Sequence, residues 1–210
     1  FIKFSQLKTK TYLAPLIFGN TGNIGLPLAF FAFGSEGLDY AVVIFATMGI
    51  YAFTFGIWVV SGGGAIKKII QEPLVGGTIL GALFLSQGWR TPEFLTSTLE
   101  LIGQMAIPLM LITLGVAIAR LEPRNLLKAS GYALIKFIIC LIVSICGAYW
   151  FELGHIPFSI LIIQMTTPVA VTSYLLAHKY NADSDSVASL VIISTVFSIF
   201  YIPVILMFLI

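Results

Sequence analysis

Charge is what this sequence has least of. Only 10% of its 210 residues are Asp, Glu, Lys or Arg, while 59% are apolar and the mean hydropathy is +1.03. A soluble domain with that balance could not keep a polar surface, so the solvent expected around the chain is lipid. The net charge of +2 is too small to point to a nucleic-acid partner. Cysteine and histidine are nearly missing as well, at two residues each. Cys140 and Cys146 lie six positions apart in one apolar stretch and cannot face each other on a helix, which leaves them as small packing residues. His155 and His178 fall at the ends of apolar stretches and read as interfacial side chains. There is no Ser–His–Asp spacing, no His/Cys metal constellation and no phosphate-binding loop, so neither catalysis, a resident metal nor a cofactor is expected.

What is abundant is long apolar runs. A bilayer core takes about 20 apolar residues as helix, and seven stretches fit: Tyr12–Phe33, Tyr40–Val60, Pro73–Trp89, Leu95–Ala119, Leu126–Phe151, Pro157–His178 and Val187–Ile210. Placing the first end of the chain in the cytoplasm puts Lys3, Lys8, Lys10, Lys67, Lys68, Arg120, Arg124, Lys128 and Lys179 inside and leaves Arg90 alone outside. That asymmetry predicts an integral protein of a bacterial inner membrane with its last residue outside. Lys136 is read on the cytoplasmic half of the fifth stretch. Phe30, Phe31, Trp58, Trp89, Tyr149, Trp150, Tyr180 and Tyr201 near the stretch ends suggest an aromatic belt. The opening at Phe1, without Met and among lysines, suits the cytoplasmic end of a membrane helix rather than a signal peptide.

Two of the seven stretches are poor helices. The first carries Gly19-Asn20-Thr21-Gly22-Asn23-Ile24-Gly25-Leu26-Pro27 in its middle, and the sixth carries Gln164-Met165-Thr166-Thr167-Pro168-Val169-Ala170-Val171-Thr172. Proline removes a backbone donor and each glycine costs about 1 kcal/mol against alanine, so a break is predicted in both. Each is followed by a short acidic loop, at 34–39 and 183–185, and then by a long apolar helix. The two pairs look like copies, and the five stretches from one break to the other make the second copy upside down. The fold expected is therefore all-α, an inverted-repeat transporter with two crossing broken helices. Residues 1–60 would be the last two helices of a first repeat and 61–210 a complete five-helix second repeat. Seven of about ten helices would be present.

A broken helix frees N–H groups on one half and carbonyls on the other, which lipid cannot satisfy. Half-helix N-termini carry about half a unit of positive charge and suit a carboxylate. Asn20 and Asn23, three apart, would add amide donors, and Thr21, Thr166 and Thr167 hydroxyls. No charged residue is placed at the midplane, and Gln104 and Gln164 are read as satisfied interhelical hydrogen bonds.

These residues resemble the auxin efflux carrier family of permeases. The run Asn20 to Leu28 followed by Phe33 to Leu38 is similar to its fourth helix, Gly103 to Leu109 with Leu114-Gly115 to its seventh, and Thr167 to Ala170 with Asp183, Ala188-Ser189 and Ser194-Thr195 to its ninth and tenth. The resemblance implies a crossover fold of the NhaA and bile-acid symporter type, dimerisation through the third and fourth stretches, and a small organic anion as substrate. It places substrate contacts at Asn20, Asn23 and Pro27 and at Thr167, Pro168 and Val169, and with Thr21, Gly22 and Thr166 beside them these nine residues form the candidate binding site. A sodium-coupled symporter of the bile-acid type, or a membrane sensor or inactive fragment, are the alternatives.

Overall fold

The computed structural model describes residues 7–61 and 73–210, which leaves Lys3, Lys67 and Lys68 of the charge pattern outside the described residues. Everything described is helical apart from short links, with one isolated antiparallel β-bridge. The elements in order are α1 (Thr9–Ile17), a π turn (Thr21–Gly25), α2 (Leu26–Tyr51), a second π turn (Ala52–Gly56), α3 (Ile57–Ser61), α4 (Pro73–Gln87), α5 (Glu93–Gln104), α6 (Ala106–Ala119), α7 (Leu126–Trp150), α8 (His155–Thr166), α9 (Val171–Lys179) and α10 (Ser184–Leu209).

Four described helical stretches are long and apolar enough to cross a bilayer: Thr21–Ser61, Glu93–Ala119, Leu126–Trp150 and Ser184–Leu209. Val75–Phe84 and His155–Thr166 are shorter apolar helices. The outer surface is apolar too, with Phe31, Leu127, Trp150 and Phe208 each 70–89% exposed. Large apolar side chains facing outward all around a helical body are the pattern of a membrane protein.

The first loop expected, residues 34–39, is absent as a loop. Helix α2 continues through it and turns back at one residue, Gly34, whose φ of 66° and ψ of −152° lie in a region open to glycine almost alone. The two arms, residues 26–33 and 35–51, then pack on each other, joining Leu26, Ala29 and Ala41 with Phe33, Leu38, Ile44 and Phe45 in one cluster around Ile160 of α8. Glu36 consequently sits in the first turn of the returning arm, where a carboxylate complements free N–H groups. The sequence offered a cluster of loop formers and hid that one glycine suffices.

The other boundaries follow local chemistry. Helix α5 hands over to α6 at Met105 because Pro108 has no N–H to give the carbonyl four residues back, at Gln104. Asp183 caps α10 by accepting from the Ser186 N–H at 3.1 Å and the Ser186 hydroxyl at 2.8 Å. The main buried cluster gathers Leu114 from α6, Ala129 from α7, Val171 and Ala177 from α9 and Val187 to Val191 of α10 around Val169. Core packing therefore converges on the second break.

Replacing Gly34 with alanine forces a side chain into that glycine-only conformation and should destabilise the fold by about 1–3 kcal/mol. Thermal unfolding in detergent measures it; an unshifted melting temperature would mean that the reversal does not depend on this residue.

Candidate functional site

Both predicted breaks exist, and they cross. Helix α1 stops at Phe18, which is extended (φ −90°, ψ 119°), and α8 stops at Thr167 (φ −53°, ψ 148°). The extended links run antiparallel, Gly19 beside Val169, joined by Asn20 N–H to the Pro168 carbonyl at 2.7 Å and Ala170 N–H to the Phe18 carbonyl at 3.3 Å. Each link thus satisfies backbone groups that the other's break has released.

The remaining freed groups on the α8 side are met by side chains. Val169 N–H donates to the Ser194 hydroxyl at 2.9 Å, the Tyr201 hydroxyl donates to the Thr166 carbonyl at 2.7 Å, and the Lys136 amine donates to the Thr167 carbonyl at 2.8 Å. Thr166 and Thr167 turn their own hydroxyls back onto α8 carbonyls, Ile162 and Gln164, both at 2.7 Å. They serve the helix end and do not reach the cavity described next.

On the other side of the crossing the N–H groups are left open. After the break the first backbone bond is Ile24 N–H to the Asn20 carbonyl at 3.2 Å, and in α9 it is Ser173 N–H to the Ala170 carbonyl at 3.0 Å. The N–H groups of Thr21, Gly22, Asn23 and Thr172 therefore have no backbone acceptor among the described residues. These same residues line a cavity of about 90 Å³, together with Asn20, Ala170 and the apolar Phe18, Phe45, Met48 and Phe53. At about 30 Å³ per water, that is space for roughly three waters or one carboxylate group. Asn20 is 5% exposed and its side-chain nitrogen has no partner.

Of the nine predicted contacts, Asn20, Thr21, Gly22 and Asn23 line this cavity, whereas Thr166, Thr167, Pro168 and Val169 build the crossing beneath it. Pro27 is away from both, buried where the π turn runs on into α2, and its missing N–H leaves a preceding carbonyl of that turn without a helical donor. Three expectations are corrected. No charged residue was expected at the midplane, yet Lys136, in the first half of its 25-residue helix as expected, places its amine on the second break. Tyr201 is no belt residue, since its hydroxyl points inward to that same break. Gln164 is fully buried, yet neither amide atom has a partner among the described residues, and Gln104 is exposed. A lone lysine in an apolar helix was the signal for the first; the direction of a side chain on a helix left none for the second.

Gln164 lies over Gly25, where a β-carbon would collide with the carboxamide. The amide of α8 and the start of α2 therefore touch at a place that only glycine permits.

The sequence comparisons decide the family. Residues 58–206 match the membrane transport protein family over most of the chain. The chain belongs to the auxin efflux carrier family of membrane transport proteins. An uncharacterized transporter of Methanocaldococcus jannaschii is 28% identical over 198 residues, covering 86% of this chain and 62% of that protein. An uncharacterized transporter of Methanothermobacter thermautotrophicus is 25% identical over 191 residues, covering 88% and 63%. Auxin efflux carrier component 8 of Arabidopsis thaliana is 24% identical over 138 residues, covering 61% and 37%. The chain thus spans about three-fifths of the length of these archaeal relatives. No solved structure matches it.

A buried amide without partners is a stability burden, so Gln164→Met, which keeps the length and removes the polar atoms, should stabilise the folded protein by about 1–3 kcal/mol. Thermal unfolding in detergent is the readout, and a lower melting point would show that the amide has partners after all.

Proposed function

We propose that this membrane transporter carries a small organic anion, a dicarboxylate or an auxin-like carboxylate, held at the crossing of the two broken helices and released to either side by alternating access. The observation that supports this most directly is the convergence of two helix starts on one cavity, with Thr21, Gly22 and Asn23 from one break and Ala170 and Thr172 from the other. Helix N-termini attract negative charge through aligned N–H groups, and an amide donor beside them adds a hydrogen bond without adding a competing charge. The relative in Arabidopsis thaliana named as an auxin efflux carrier component is in keeping with a carboxylate as cargo.

In this reading the antiparallel links belong to an inverted repeat divided near residue 60, with the early end of the chain in the cytoplasm and the late end outside. Asn20 and Asn23 donate to the carboxylate, the backbone of Thr21 and Gly22 cradles it, and α4 with α5 and α6 forms a static, dimerising body. The exposed side chains of α5, none of which is buried, suit a surface that meets another helix or lipid.

Uptake of labelled malate, malonate and indole-3-acetate into proteoliposomes tests the proposal. A hydrogen bond to a charged group contributes about 1.5–3 kcal/mol, so Asn20→Leu and Asn23→Leu should each weaken anion uptake roughly ten- to a hundredfold while the protein still folds. Transport unchanged in both variants would remove these residues from the site.

A further inference from the structure

Four helix ends meet at the crossing, and in a bare crossing their charges would cancel. Helices α1 and α8 bring carbonyl ends, each equivalent to about half a negative charge, while the starts after the two breaks bring about half a positive charge each. A site of that kind has no net preference for an anion. One side chain changes the balance. Lys136 is the only charged side chain buried among the described residues, at 5% exposure. Its amine takes the Thr167 carbonyl at 2.8 Å, and the next carbonyl along, Pro168, takes the Asn20 N–H at 2.7 Å. Lysine is thus two residues of backbone away from the amide that lines the cavity.

Among the described residues no acidic side chain answers it. The one ion pair among the described residues, Arg124 with Asp185, is on the exposed surface. An ammonium has three donors, and a single acceptor is found for it there. Charges act over longer distances in apolar surroundings than in water, so an anion in the cavity need not touch the amine to feel it. An ionisable residue inside a membrane segment calls for a functional reason, and without a counter-ion among the described residues that place is open to the cargo.

We infer that Lys136 is the counter-charge of the transported anion, a positioning residue that makes the crossing net positive through Thr167 and Pro168 and so selects a carboxylate over a neutral molecule of the same shape. This rests on the carrier reading and deepens it: that reading asks which groups touch the substrate, and this one asks what gives the site its sign.

The test uses the full chain in detergent and in proteoliposomes, with indole-3-acetate and its neutral amide, indole-3-acetamide, as probes. The wild type should bind the acid at least tenfold more tightly than the amide. Lys136→Gln should lower affinity for the acid tenfold or more and leave the amide within twofold, collapsing the preference, while Lys136→Arg should keep it. A folded glutamine variant that retains the full preference would overturn the inference and reduce the amine to a hydrogen-bond donor. Should the glutamine variant not fold, the wild-type ratio decides, and a ratio near one overturns the inference. If the wild type neither binds nor exchanges the acid, nor malate nor malonate, the carrier reading itself fails; acid transport with an unchanged preference in Lys136→Gln sinks this inference alone.

Discussion

Two backbone hydrogen bonds, Asn20 to Pro168 and Ala170 to Phe18, hold this structure in the form it has. In lipid a broken helix is untenable unless its released groups find partners, since each unpaired one costs several kcal/mol. Neither break can satisfy its own. Each is extended where the other is extended, and the antiparallel pairing lets one supply what the other lacks. Around that pair the rest of the core is arranged: Ser194 and Tyr201 of α10 and Lys136 of α7 are drawn in to the groups that the bridge does not reach.

The result is an asymmetric division of labour between two sides of one crossing. On the α8 side the Thr166 and Thr167 carbonyls are covered by a hydroxyl and an amine. On the other, N–H groups face a small cavity with an amide beside them and aromatic rings beyond. The same breaks supply both the groups that are paired and the groups that are left open, the first holding the crossing together and the second lining the cavity. A transporter of the auxin efflux carrier family is the setting in which such a division has a use.

Much of this was legible in the residues. Glycine, asparagine and proline in the middle of a span, twice, announce a break because no helix former would be placed there, and the breaks lie at 18–20 and 167–170. Apolar runs place α7 within one residue at either end and α10 within three, its start being moved outward by the Asp183 cap. Three things were not legible. A reversal at 34–39 was expected, but Gly34 looked like one glycine in a polar loop, and only its torsion angles reveal that it makes the turn alone. Thr166 and Thr167 advertise hydroxyls, but side chains of that length at a helix end bond back to the preceding turn. The inward aim of Tyr201 depends on how α10 is rotated about its axis, which packing sets and a nearly all-apolar helix does not record.

The bridge is made of main chain alone, Gly19 against Val169, and so depends on no particular side chain for its hydrogen bonds. The residues that face the cavity, in contrast, act through amides, hydroxyls and rings. Evolution can therefore vary the lining without dismantling the pivot, as one may change the jaws of a tool and keep its rivet. Relatives sharing about a quarter of their residues can keep such a main-chain bridge whatever side chains surround it.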